Sequence, residues 1–373
     1  MKYVIIGGGP SGLCLSWVLA HNNHEVILIE KDCQLGGSWN SEWLKDYWSE
    51  NSPRVLFKYG IHMKFLTSIG MTKYDFKYVY GNTFKTFKIF FTFFRNKLNI
   101  TDYTKILKGY AYYSFASDDH KTFDIWMKEN NLSKGGYHAL RILCIAINDI
   151  PENTNTKVLF NTLGIPNTLV QMVDSNKWHT LIHNKLKQMN NVKIITNTYV
   201  DSLNYFDNKV NSCVCKDLSN EYIFNVYGDK FILCTQSNGI IPILERSSIF
   251  IRNNWGNINK LKAWNEKTHY NGFGFQLHFY KKVNGPEDWC WSCENDWSII
   301  VLPVSNWLYN KSKDDNIKTV WSCVVIDMNS KSKYIGKTLN ECEKKEAITE
   351  CVRQLKMEFC DMPNPDKVTV SHN

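Results

Sequence analysis

The sequence lacks a hydrophobic run long enough to cross a membrane. Its most apolar window, residues 84–94, is interrupted by Lys85 and Lys88 and is followed by Arg95. A membrane-spanning helix needs about 20 apolar residues. We therefore expect an amphipathic helix over this window and no membrane span.

A strong excess of positive charge is also missing. The 44 Lys and Arg against 36 Asp and Glu give a net charge of +8 over 373 residues. The densest basic spots are two pairs, Lys281-Lys282 and Lys344-Lys345, whereas a nucleic-acid-binding surface carries a basic stripe or patch. The expected partner is therefore a small molecule and not a nucleic acid.

Signals of secretion are absent as well. The twelve cysteines are scattered, and the chain begins MKYVII, without a basic segment and a cleavage site. We expect reduced thiols in a cytoplasmic protein. Cys290 and Cys293 have the spacing of a metal or redox motif, but no second CxxC accompanies them, so a packing role is favoured and no metal site is expected.

What the sequence does have is a glycine-rich turn between two hydrophobic runs. Residues 2–6 are typical of a strand buried on both faces, and GGGPSG at residues 7–12 fits G-x-G-x-x-G before a helical apolar pattern. The three glycines of the pattern allow a tight turn, a close approach of pyrophosphate and close packing of helix on strand, while the helix N-terminus faces the phosphates. The candidate dinucleotide-binding residues of this turn are Gly7, Gly9, Pro10, Ser11 and Gly12.

A second short strand, residues 25–29, leads to Glu30 and Lys31. A carboxylate at this distance from the glycine pattern holds the ribose hydroxyls of the adenosine half. Because Glu30 would repel a 2′-phosphate, we expect FAD or NAD and not NADP.

A second diglycine follows, in the segment Gly36-Gly37-Ser38-Trp39. Together with the glycine turn and Glu30, it resembles the N-terminal signature of the FAD-dependent amine oxidase superfamily, which includes monoamine and polyamine oxidases. Residues 50–55 and the Asn-, Lys- and Ile-rich texture further resemble amine-oxidase-like proteins of giant DNA viruses. The resemblance implies that FAD is the cofactor and that residues 36–39 lie beside it.

The resemblance also implies an α/β fold in which a Rossmann-like FAD/NAD(P)-binding domain is interleaved with an α+β substrate domain. We expect FAD-binding segments at 1–75 and 175–250, a helical substrate segment at 76–174, and a substrate-domain sheet and helix at 251–373. A break between two helices is expected at residues 133–136. Arg54 is implied to lie near the flavin, Val200 to contact the adenine side through its backbone, and Cys234-Thr235 to end a strand near the dinucleotide.

Candidate catalytic residues come from a strand over residues 273–283. Period-2 alternation places Gln276, His278 and Tyr280 on one face. Many amine oxidases have a lysine that holds a water against the flavin on the corresponding strand, and here Gln276 takes that place. Glutamine can hold a water but supplies no cation, whereas His278 could act as an acid or base, or serve as a core histidine.

Two functions remain open from the sequence. The first is an FAD-dependent oxidoreductase of the amine oxidase type, which removes a hydride equivalent from an amine-bearing carbon to flavin N5, with reoxidation by O₂. The second is a shortened, catalytically weak or inactive dinucleotide-binding interaction protein, because the superfamily's final FAD-binding block, a Gly-Asp turn and a helix, is not found after the long helix at 340–359. A flavin monooxygenase would need a second nucleotide fingerprint, and none follows.

Overall fold

The computed structural model describes residues 1–39, 41–44, 47–50, 55–58, 60–80, 98–115, 120–146, 149–163, 169–174, 176–268, 273–285, 291–292, 295–306 and 314–370. The predicted helix at 84–94, Arg54, Cys290 and Cys293 lie outside the described residues.

In chain order the strands are β1 Lys2–Ile6, β2 Glu25–Ile29, β3 Ser41–Leu44, β4 Tyr47–Glu50, β5 Val55–Phe57, β6 Phe76–Tyr80, β7 Leu169–Met172, β8 Val192–Ile195, β9 Thr198–Phe206, β10 Lys209–Asp217, β11 Ile223–Tyr227, β12 Lys230–Leu233, β13 Phe273–Phe279, β14 Trp291–Ser292, β15 Ile299–Leu302, β16 Thr319–Val325 and β17 Lys367–Val370. The helices are α1 Pro10–His21, α2 Ile61–Ser68, α3 Ile100–Phe115, α4 Phe123–Glu129, α5 Lys134–Ala146, α6 Thr156–Leu163, α7 Lys177–Lys187, α8 Ser237–Arg246, α9 Ile249–Trp255, α10 Ile258–Thr268 and α11 Lys344–Glu358.

A four-stranded parallel sheet carries the N-terminal motif. Its strand order is β12-β1-β2-β8, and each neighbouring pair is parallel. Because side chains alternate along a strand, Ile5 and Leu28 pack with α1 and α7 on one face, while Val4 and Ile29 pack against β9, β10 and α8 on the other. Burial on both faces explains the short β-branched runs. The predicted α/β fold with a Rossmann-like parallel sheet is confirmed.

Antiparallel sheets make up the rest of the strands. Strands β9 and β10 form a hairpin, which β11 extends, while β5-β7-β6 and β3-β4 form two further small sheets. A five-stranded sheet has the order β14-β15-β16-β13-β17, and its face bearing Leu277 and Trp321 packs on α11 through Cys351 and Leu355. The last strand, β17, was not expected from the sequence.

Helices α3 to α6 lie within the segment expected to be helical, and a break separates α4 from α5 at residues 130–133, slightly before the expected position of 133–136. Helix α5 begins at Lys134, so Gly135 and Gly136 lie in its first turn. A Cβ on Gly136 would lie 2.7 Å from the Asp102 carboxylate of α3. The glycine therefore reflects close helix packing and not an interruption of the helix. None of the helices in the described ranges is long and apolar enough to span a membrane.

Candidate functional site

The glycine turn begins where β1 ends, between β2 and β12. Gly7 has a φ of +108°, which strains any residue with a side chain. Its N–H donates to the Ile29 carbonyl at 2.8 Å, and a Cβ here would lie 2.7 Å from the Cys234 carbonyl oxygen. Gly7 thus allows the chain to leave the sheet between two neighbouring strands.

Gly12 brings helix α1 against this turn. A Cβ on Gly12 would lie 1.9 Å from the Gly7 carbonyl oxygen, a separation that real atoms do not adopt. The absence of a side chain at Gly12 is therefore required by the packing of the protein itself.

Gly9 is different, because the packing of the protein leaves space beside it. Gly9 precedes α1 in an extended conformation (φ −73°, ψ −174°). A Cβ there would come within 4 Å of a single atom, Gly37 Cα, at the ordinary contact distance of 3.9 Å. This open side of the backbone is where a pyrophosphate would approach.

The N-terminus of α1 has neither a capping side chain nor a negative charge of its own to offset the positive end of the helix dipole. No side chain caps it, its first turn has no acidic residue, and Pro10 occupies the first helical position. The first intrahelical bond is donated by Leu13 to Gly9, so the N–H groups of Ser11 and Gly12 have no partner within the helix. Ser11 is exposed. The positive end of the helix is thereby available to an anion.

Glu30 lies at the carboxyl end of β2, next to the turn. One carboxylate oxygen, Oε2, accepts the Gly8 N–H at 2.5 Å, and Oε1 accepts the Asp32 N–H at 3.0 Å. The side chain is 7% exposed. Each carboxylate oxygen has a second lone pair, so Glu30 can still accept bonds from ribose hydroxyls. Lys31, the next residue, is exposed.

The second diglycine folds back onto the first loop. Gly36 has a φ of +122° and donates its N–H to the Gly8 carbonyl at 2.9 Å. Gly37 has a φ of +52°, and a Cβ on it would lie 2.9 Å from Gly9 Cα. Ser38 is exposed. The two glycine segments therefore form a single cradle around Gly9.

Trp39 anchors the second diglycine to the core. Its ring meets Trp178 of α7 edge to face, with 5.3 Å between ring centroids. The contact between Trp178 and Trp39 was not predicted from the sequence, because the apolar helical pattern around Trp178 does not indicate it. Sequence reasoning also missed Gly8, where a Cβ would lie 2.6 Å from Leu35, although the run of three glycines offered a signal.

The remaining predicted residues lie elsewhere. Val200 is buried in β9 among the side chains that cover the second face of the parallel sheet. Gln276 and His278 are buried on the same face of β13, in the five-stranded sheet. Burial lowers the pKa of His278 to about 4, and the charge of Lys367 adds to this shift. His278 is thus neutral near pH 7.

Thr235 follows β12 and lies beside the glycine turn, as expected for Cys234-Thr235. Its Cγ2 would lie 3.0 Å from a Cβ on Gly7. Its Oγ1 is buried without a hydrogen-bond partner in the described structure. The unpaired Thr235 hydroxyl, the open side of Gly9, the uncapped helix α1 and the buried Glu30 carboxylate together fit a dinucleotide.

Comparison with known proteins agrees with this fit. Residues 5–69 match a family model described as an NAD(P)-binding Rossmann-like domain. This part of the chain is a Rossmann-like unit. A protein in the nifH2 3′ region of Methanothermococcus thermolithotrophicus, described as uncharacterised, is 43% identical over 47 residues, which are 13% of this chain and 45% of that protein. The match thus spans less than half of that relative.

Solved structures that are similar over the whole chain include the following two. An oxidoreductase from Methanosarcina mazei has a TM-score of 0.69 and 14% identity, covering 100% of this chain and 88% of that chain. A double mutant of putrescine oxidase, from a redesign of cofactor binding, has a TM-score of 0.67 and 11% identity, covering 100% and 84%. At these identities the similarity shows a shared fold.

Proposed function

We propose that the protein is an FAD-dependent oxidoreductase of the amine oxidase type. The observation that carries the proposal is the cradle formed by the two glycine segments, which leaves Gly9 open in front of the uncapped helix α1. The fold shared with putrescine oxidase supports an amine substrate. The second diglycine favours FAD over NAD, because an NAD dehydrogenase does not need it.

Each residue of the cradle has a proposed task. The N–H groups of Ser11 and Gly12 bind the pyrophosphate, whose approach Gly9 permits, and Glu30 accepts the ribose hydroxyls. Residues 36–39 lie along the ribityl chain. The proposed positions of Arg54, near the flavin, and Val200, on the adenine side, follow from the resemblance to the superfamily.

When bound, FAD would accept a hydride equivalent from the carbon next to the amine nitrogen and be reoxidised by O₂. The chain's own part is to orient that carbon and to exclude water. Gln276 is proposed to hold a water beside the reacting atoms. His278, neutral near pH 7 because its pKa lies at about 4, is proposed to take part in hydrogen bonding in the same region.

The second candidate is a dinucleotide-binding protein without catalysis. The burial of His278 favours it, because a fully buried histidine in the middle of a strand also fits a purely structural role.

Purification of the full chain separates the two candidates. The enzyme predicts a yellow protein whose flavin absorption bleaches anaerobically with putrescine or another primary amine. A protein that binds FAD without bleaching with any amine would support the second candidate. A colourless protein that cannot be reconstituted with FAD would rule out the enzyme.

A further inference from the structure

A buried amide in β7 has no hydrogen-bond partner. Gln171 is 0% exposed, and within the described residues neither its Nε2 nor its Oε1 has a partner. A glutamine amide offers two donor hydrogens and two acceptor lone pairs. Because buried polar side chains are nearly always paired, this exception calls for an explanation.

Gln171 lies on the face of its sheet that is turned away from the core of the Rossmann-like unit. Its neighbours in β7, Val170 and Met172, pack in that core, so alternation places Gln171 on the opposite face. Lys77 of β6 is directly across from Gln171 and shares this face. The Lys77 Nζ donates to the Asn306 carbonyl at 2.5 Å. Asn306 closely follows β15, so this face is turned towards the five-stranded sheet.

Another buried glutamine, Gln354, has hydrogen-bond partners within the protein for both ends of its amide. Gln354 of α11 is 1% exposed. Its Oε1 accepts the Trp297 N–H at 3.2 Å, and its Nε2 donates to Glu350 at 2.9 Å. Gln354 is paired at both ends, whereas Gln171 is paired at neither.

We propose that the Gln171 side chain binds a neutral amide group of the substrate, at the end remote from the carbon that is oxidised. This inference rests on the proposed function. An ammonium would bond only Oε1 and a carboxylate only Nε2, whereas an amide pairs with both. The Lys77 ammonium on the same face also disfavours a second cation there.

Gln171 lies on the strand next to β6, whose Lys77 side chain reaches solvent. Lys77 is exposed, and neighbouring strands lie about 4.8 Å apart. A ligand that reaches Gln171 would therefore enter from the side of Lys77.

Two leucine variants test whether the amide is structural. Gln171→Leu removes an unpaired polar group at similar volume, so the midpoint of thermal unfolding of the ligand-free protein should stay unchanged or rise. Gln354→Leu, the matched control, leaves the backbone N–H of Trp297 without its partner and removes one of the bonds to Glu350, and it should lower the midpoint. If both variants lower it equally, Gln171 is held by structural partners and the inference is wrong.

Binding is tested with three probes of similar size: propionamide, propylammonium and propionate. We expect propionamide alone to raise the unfolding midpoint of the FAD-loaded full chain, with an affinity at least about tenfold weaker in Gln171→Leu. No effect of propionamide, or equal effects of all three probes, would overturn the inference. If the chain binds no FAD, the proposed function fails by itself, and the same probes on the flavin-free chain still decide the role of Gln171.

Discussion

Gly9→Ala should weaken cofactor binding with little effect on stability, whereas Gly12→Ala should lower stability. Both residues belong to the same glycine pattern, and each change adds one methyl group. Their surroundings differ, because a Cβ on Gly12 would lie 1.9 Å from the Gly7 carbonyl oxygen, whereas a Cβ on Gly9 meets Gly37 Cα at 3.9 Å.

Gly12→Ala should destabilise the fold. Contacts of a Cβ closer than 3.0 Å are essentially never seen, so α1 or the turn at Gly7 must move by about 1 Å or more. Overpacking of this kind costs about 1–3 kcal/mol. The better helix propensity of alanine returns only about 1 kcal/mol at most, so we expect a net loss of about 1–2 kcal/mol.

Gly9→Ala should leave the free energy of unfolding within about 1 kcal/mol of the parent. Its φ of −73° suits alanine, and the loss of a favourable residue before the helix is offset by a less flexible unfolded chain. The added methyl group would occupy the side from which the pyrophosphate approaches. Affinity for FAD should fall at least about tenfold, which corresponds to about 1.4 kcal/mol.

Urea unfolding of the flavin-free proteins and titration of FAD against intrinsic fluorescence measure the two effects separately. The proposed roles require Gly9→Ala to lose binding with stability retained, and Gly12→Ala to lose stability. Unchanged FAD affinity in Gly9→Ala would refute the cradle as the pyrophosphate site.

Three further predictions concern charged and titratable groups. Glu30→Gln should lower the free energy of unfolding by about 1–3 kcal/mol, because an amide cannot accept both backbone N–H bonds, and should let dinucleotides with a 2′-phosphate compete in fluorescence titrations. Burial, together with the charge of Lys367, lowers the pKa of His278 in the folded protein from 6.5 to about 4. As the pH falls through this range, His278 is therefore protonated in the unfolded chain before it is protonated in the folded protein. The free energy of unfolding should then drop by up to about 3 kcal/mol between pH 6.5 and 4, and His278→Gln should flatten that drop in urea melts. Asp102→Asn should lower the free energy of unfolding by about 2–4 kcal/mol in the same assay. The reason is that the buried Asp102 carboxylate accepts hydrogen bonds from the Ser133 N–H, at 2.9 Å, and from the Ser133 hydroxyl. A loss below about 0.5 kcal/mol would contradict this.

The local parts of the fold could be read from the sequence. The run from β1 through the glycine turn and α1 to Glu30 carries short-range signals, namely β-branched runs, glycines at fixed spacing and a helical apolar pattern. A strand ending at Cys234-Thr235 was also expected, and the structure has β12 at Lys230–Leu233, directly before that pair. The amphipathic pattern at 340–359 likewise predicted the long helix α11, which begins later, at Lys344.

Long-range pairing was harder to foresee. The edge strand β17 is short, and only its pairing with β13 makes it a strand. Strands β5 and β7 likewise pair across the whole helical segment between them. Gly136 looked like a helix break, because nothing in its neighbours along the chain reveals that the Asp102 carboxylate lies against it. In the site, Trp178 escaped prediction for the same reason, whereas the run of three glycines did offer a signal for Gly8.

The pairing of β1 with β12 has a consequence for how the protein is made. Ile5 lies beside Ile232 in the parallel sheet, and Ile27 lies beside Lys193. When residues 1–69 have left the ribosome, β1 and β2 can pair with each other, but β12 and β8, which flank them in the sheet, have not yet been synthesised. The sheet can close only after residue 233 has emerged, and joining segments so far apart in the chain slows folding. FAD would therefore be captured late in synthesis, and an isolated segment 1–69 should not fold into a cofactor-binding unit.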